Sequence, residues 1–151
     1  MSQQYIKQKA AATLQQFQTR DPEQIAKGLD IGIRYADIGT LKGFYTVMLD
    51  NPFIVINQAL PEAEQRVVLA HELGHHLLHE HLVQTDGIRE TVLYDISSKP
   101  EYEANLFAAH LLLESEQIEQ LAKQGATLAQ MAAAMNVDEH LIRIFLKTTQ
   151  E

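Results

Sequence analysis

The sequence predicts an α+β domain dominated by helices. A small antiparallel sheet packs on a long histidine-bearing helix, and short helices follow at the C-terminal end. Three observations carry this. Short runs rich in β-branched and aromatic residues are confined to residues 31–57. Stretches with apolar residues at helical spacing flank them on both sides. The composition, 46% hydrophobic and 21% charged over 151 residues, is that of a globular chain able to bury a core.

The elements follow in order. "QYIKQKAAATLQQFQ" places Tyr5, Ile6, Ala10, Leu14 and Phe17 at helical spacing. Asp21-Pro22 starts a second helix, with the aspartate as N-cap and the proline at the first helical position. "IGIRYADI" (31–38), "GFYTVML" (43–49) and "FIVIN" (53–57) read as strands, and "DNP" at 50–52 as the turn of an antiparallel pair. Pro61 opens a long helix that carries "EQRVVLAHELGHHLLHEH". Residues 83–99 are mostly polar, with a turn at "TDG" and a strand signal in "ETVLYDI". A helix over "EYEANLFAAHLLLESEQ" begins just after Pro100. From about residue 116 two or three short helices follow, including "TLAQMAAAMNV" and "DEHLIRIFLK". The expected division is a main domain over 1–115 and a helical segment over 116–151 packed on it.

Composition removes several function classes. The chain has no cysteine, which excludes disulfides and thiolate-held zinc or iron–sulfur centres. No apolar run has the length of a signal-peptide core or a membrane span, so a soluble cytoplasmic protein is expected. Twelve Lys+Arg against twenty Asp+Glu give a formal charge of −8, which disfavours the nucleic-acid backbone as the main partner.

Chemistry concentrates in "HELGHH" (71–76). Five of the seven histidines lie between residues 71 and 81. On a helix, His71 and His75 stand about 40° apart in azimuth and about 6 Å apart along the axis, within reach of one metal ion. They border an apolar stripe of Val67, Ala70, Leu73, Gly74, Leu77 and Leu78, while His76 points the other way. Imidazoles beside a buried face need partners, and a metal supplies one. Gly74 suits a close approach to another element. Glu72, offset by one residue, is placed to take a proton from the attacking water, as the H-E-x-x-H arrangement requires.

Such a site needs a third ligand, and three candidates exist. His81 has metzincin spacing, but Leu78 stands where that pattern has the glycine that turns the chain back. His79 lies one turn beyond His75, too far along a straight helix to share the ion. Glu101, in the helix after Pro100, falls on the same side as Ala104, Asn105, Ala108, Leu111 and Leu112. Glu103, His110 and Glu114 fall opposite, on the expected solvent face. A carboxylate in a first helical turn is also favoured by the dipole alone, yet one facing a core is costly unless paired or metal-bound. Glu101 is therefore the expected ligand, with Asn105 one turn later placed to hydrogen-bond a ligating histidine.

Together, "GFYTVMLDNPFIVINQALPEAEQRVVLAHELGHHLLH" and "EYEANLFAAHLLLE" resemble the ImmA/IrrE family of zinc metallopeptidase domains over most of residues 43–114. The family pairs an H-E-L-G-H helix with a downstream E-x-x-A-N-x-F-A-x-x-L-L helix, and both halves occur here in order. The resemblance implies a zincin-like fold and a thermolysin-like ligand set of His71, His75 and Glu101 around Zn2+. It also implies Glu72 as the catalytic acid/base, Asn105 in support, and a phage-like or mobile-element repressor as protein substrate. The chain departs from the family's frequent L-L-M-P ending at Leu112-Leu113-Glu114, which alters helix termination and leaves the metal residues untouched.

Two other readings stand beside the peptidase. In one, zinc merely staples two helices of a non-catalytic anti-repressor or interaction protein, although Glu72 has no use in a closed structural site. In the other, residues 127–146 form a DNA-binding helix-turn-helix. Ala132, Asn136 and Ile142 then take its small, turn and buried positions, over a core of Met131, Met135, Val137 and Phe145. Asp138-Glu139 at the start of the second helix oppose that reading, because they would face phosphates. Tyr94 is a candidate oxyanion donor.

Overall fold

The computed structural model describes residues 1–79, 88–90 and 98–149. Helix α1 (Gln3–Phe17) starts where the Ser2 side chain accepts from Tyr5 N at 3.1 Å, and stops at Gln18 in the left-handed region, φ 56°. Helix α2 (Pro22–Gly28) has the expected Asp21 cap, its Oδ1 accepting from Glu23 N at 3.0 Å.

Strands β1 (Gly32–Ala36), β2 (Gly43–Met48), β3 (Asn51–Asn57) and β4 (Ile88–Glu90) form one sheet in the order β1-β3-β2-β4. The β2–β3 hairpin turns at Leu49-Asp50, with φ of 51° and 66°, one residue ahead of the expected turn. Positive φ at both central residues gives the twist that a two-residue hairpin needs. Pro52 thus belongs to β3, where it precedes the first residue paired with β1 and costs that ladder no hydrogen bond.

The sheet is mixed rather than wholly antiparallel, because β1 runs parallel to β3. The connection over residues 37–42 leaves room for β3 to enter between β1 and β2. Asn57, at the end of β3, pins that connection by donating from Nδ2 to the carbonyls of Gly39 (3.0 Å) and Leu41 (2.8 Å). The helix-dominated α+β class stands.

Helix α3 (Glu62–His79) packs against β2 and β3. Helix α4 (Lys99–Leu112) crosses α3 and is buried between it, α1 and α7 (Glu139–Thr149). It ends earlier than expected. Leu113 and Glu114 are extended, Leu113 is buried, and Arg20 donates to the carbonyls of Leu111 (2.9 Å) and Leu113 (3.3 Å). Burying Leu113 turns the chain, and the guanidinium satisfies the carbonyls released there.

Helices α5 (Ser115–Lys123), α6 (Leu128–Met135) and α7 (Glu139–Thr149) complete the chain. A Thr127/Gln130 capping box opens α6 and Asn136, φ 59°, closes it, giving the helix-turn-helix outline read from the sequence. Met131, Met135, Leu141, Ile142 and Phe145 join one core with Ile6, Tyr45, Ile54, Val68, Leu73 and Phe107. No helix among the described residues is long and apolar enough to cross a membrane. Tyr94, His81, the "TDG" turn and all but Glu90 of "ETVLYDI" lie outside the described residues.

Candidate metal centre

The site begins with the absence of a side chain. A Cβ on Gly74 would lie 3.1 Å from both Cα and the carbonyl oxygen of Ala104, and 3.3 Å from Cβ of Phe107. Glycine therefore lets α3 and α4 approach backbone to backbone, as its place on the stripe suggested. That approach brings Glu101 onto the imidazoles of α3.

His71 Nε2 lies 2.9 Å from Glu101 Oε2, and His75 Nε2 lies 2.9 Å from Glu101 Oε1. The two histidines are fully buried and Glu101 is nearly so. The imidazole rings meet edge to face, with centroids 4.7 Å apart. Burial pushes the Glu101 carboxyl up, but hydrogen bonds and charge interactions with His71 and His75 outweigh it. They hold it well below the usual carboxylate range. Glu72, next to His71 in the chain, is fully buried as well.

The outer nitrogens decide which way the rings present their lone pairs. Asn105 Oδ1 lies 2.7 Å from His71 Nδ1, and a carbonyl oxygen only accepts, so Nδ1 carries the hydrogen. In the protonated ring His71 Nε2 donates to Glu101, and in the neutral ring it is the nitrogen that would bind a metal. His75 Nδ1 lies 3.0 Å from His79 Nδ1, and His79 Nε2 lies 3.0 Å from Glu103 Oε1. With neutral rings, the carboxylate accepts from His79 Nε2–H and His79 Nδ1 accepts from His75 Nδ1–H, so His75 Nε2 is likewise the nitrogen that would bind a metal. A buried carboxylate against two imidazole nitrogens is satisfied by protons on the rings or by one metal ion shared among the three groups. The three ligand atoms lie within 4.8 Å of one another, and two imidazoles with one carboxylate are the donor set of an open divalent zinc site.

The structure thus brings together His71, His75 and Glu101, with Asn105 behind His71. It corrects one reading. Glu103 does not face solvent but is only 5% exposed. Packing by α1, α3 and α7 covers the side of α4 that carries Glu103 and half-buries His110, whereas Glu114, beyond the helix, is exposed as expected. His79 stays outside the three-residue cluster, as its distance along the helix predicts, yet it holds His75 from behind. The sequence signal for it was present: His79 continues the line of His71 and His75 at the same four-residue interval. His76 points elsewhere, its Nδ1 2.8 Å from the Tyr45 hydroxyl.

Residues 26–147 match the peptidase family described as the IrrE N-terminal-like domain. The chain belongs to this family. Among its relatives is the uncharacterized immunity region protein 2 of Bacillus phage phi105, 31% identical over 140 residues, covering 92% of this chain and 87% of the phage protein. Another is the metallopeptidase ImmA of Bacillus subtilis (strain 168), 32% identical over 137 residues, covering 87% of this chain and 78% of that protein. The ImmA/IrrE resemblance carried by "HELGHH" and "EYEAN" is therefore borne out over most of the chain.

Proposed function

We propose that this member of the IrrE N-terminal-like family is a cytoplasmic zinc-dependent endopeptidase. Its substrate is a protein, a helix-turn-helix repressor of the kind that phages and mobile elements carry. The observation that carries the reading is the buried junction of His71, His75 and Glu101 with Glu72 beside it. The phage relative's immunity-region name supports the substrate class.

His71, His75 and Glu101 hold the metal. Zinc in such a site acts as a Lewis acid on the scissile carbonyl and makes water a competent nucleophile at neutral pH. Glu72 accepts the proton of the attacking water as the carbon–oxygen bond forms. It returns that proton to the amine as the carbon–nitrogen bond breaks. Asn105 fixes the ring of His71. The helices after residue 115 serve as packing support, because their apolar side chains enter the common core.

The test uses Glu72→Gln, which keeps size and a carbonyl oxygen but cannot take the proton. The variant should retain zinc and bind a helix-turn-helix repressor substrate, while cleavage falls on the order of 10²–10⁴-fold. Repressor integrity on a gel and a repressor-controlled reporter are read together, with and without chelator. Full induction by Glu72→Gln over an intact repressor band would instead identify a non-catalytic partner.

A further inference from the structure

His79 and Glu103 have no part in the chemistry above, yet both are buried and they contact each other, with Glu103 Oε2 also 3.5 Å from the Met1 amino group. His79 is 2% exposed and Glu103 5% exposed. Burying an imidazole and a carboxylate this far from water is costly unless each polar atom is used. Here they are used in series, from Glu103 Oε1 to His79 Nε2 (3.0 Å) and from His79 Nδ1 to His75 Nδ1 (3.0 Å). The rings of His75 and His79 lie with centroids 5.2 Å apart. The two ligating histidines are therefore held differently: His71 by a neutral amide, His75 by an imidazole backed by a carboxylate.

We propose that His79 and Glu103 are positioning residues for the metal centre, a two-residue relay that fixes the tautomer and orientation of His75 and raises its donor strength. The inference rests on His71, His75 and Glu101 being the metal ligands. A carboxylate polarises the imidazole it accepts from, and that imidazole becomes a better acceptor for His75 Nδ1–H. Electron density then moves toward His75 Nε2. Partners behind a ligating histidine typically contribute 10–100-fold in metal affinity. The relay also ties α3, one turn past His75, to α4, two residues past Glu101, so His75 is oriented by the same pair of helices that supplies Glu101.

The test measures zinc affinity of the full chain by competition with a chelating dye, together with the ligand-field absorption of the Co2+-loaded protein. His79→Leu and Glu103→Leu should each weaken zinc binding by about 10–100-fold. The double variant should lose no more than His79→Leu alone, because Glu103 acts only through His79. His79→Gln can offer its side-chain oxygen to His75 Nδ1–H and should recover part of the affinity. The cobalt bands should shift in His79→Leu and return toward wild type in His79→Gln. Should a leucine variant not fold, Glu103→Gln and His79→Gln carry the same comparison, with Glu103→Gln expected to weaken binding several-fold.

Wild-type affinity and an unshifted cobalt spectrum in a folded His79→Leu variant would overturn the relay. So would losses that add in the double variant, which would mean two independent effects. Wild-type protein that binds no zinc would overturn the metal centre itself, a result separable from failure of the relay alone.

Discussion

Burial in the α3–α4 interface raises the Glu101 carboxyl, whereas His71 and His75, each 2.9 Å away, lower it and prevail. The charged carboxylate and the two imidazole nitrogens converge within 4.8 Å of one another, an arrangement that could hold a divalent cation. Two buried glutamates stand two residues apart on α4, and they should behave differently. Glu101→Ala removes the proposed carboxylate ligand and should leave the purified protein without stoichiometric zinc. Glu103→Ala removes the support behind His79, together with the ion pair to the Met1 amino group, and should keep one zinc per chain at reduced affinity. Elemental analysis after gel filtration distinguishes them. Equal zinc content in Glu101→Ala and wild type would exclude Glu101 from the ligand set.

Helices α3 and α4 together form the site, and their separation is set at Gly74. An alanine there gains about 1 kcal/mol in helix propensity. Its Cβ would meet the backbone of Ala104 at 3.1 Å, and a helix backbone yields only by moving the whole element. Overpacking of this kind costs about 1–3 kcal/mol. Gly74→Ala should therefore destabilise the fold on the order of 1 kcal/mol and weaken zinc binding too, since parting the helices draws Glu101 from the histidines. Urea midpoints and zinc titrations check this. An increase in stability with unchanged zinc affinity would show that the helix contact does not set the site.

At the scale of the molecule, α1, α4 and α7 meet at His110. Its Nε2 lies 2.8 Å from Thr148 Oγ1, and Lys7 Nζ donates to the Thr148 carbonyl at 2.9 Å. Burial and, secondarily, the Lys7 charge lower His110 from the ordinary 6.5 to about 4. Between those values the unfolded chain binds a proton that the native state refuses, so this group's contribution to stability falls as pH drops through that window. His110→Gln keeps a donor for Thr148 without the titration. It should lessen the fall in stability between pH 6.5 and 4 by on the order of 1 kcal/mol, allowing for solvent screening. Urea unfolding at a series of pH values measures it, and an identical slope in variant and wild type would remove His110 as the cause.

Local rules determined much of this protein. The Asp21-Pro22 start, the three strands, the Pro61 helix, the glycine of close approach and the His71–His75 spacing each depend on residues within a few positions of one another. Periodicity also put Glu101 and Asn105 on the inner side of α4, because α3 covers that side. What periodicity could not state was how many neighbours α4 would have. With α1 and α7 closing round it, part of the expected outer face became interior, and Glu103 meets His79 there. The order of the sheet was hidden for the same reason, since the position of β3 between β1 and β2 rests on Asn57 reaching carbonyls 16 and 18 residues earlier. Sequence determined which side chains could carry the chemistry. Tertiary packing decided which buried polar groups stand behind them, because burial is imposed by neighbours distant in the chain and the cost of leaving such groups unpaired then selects their partners.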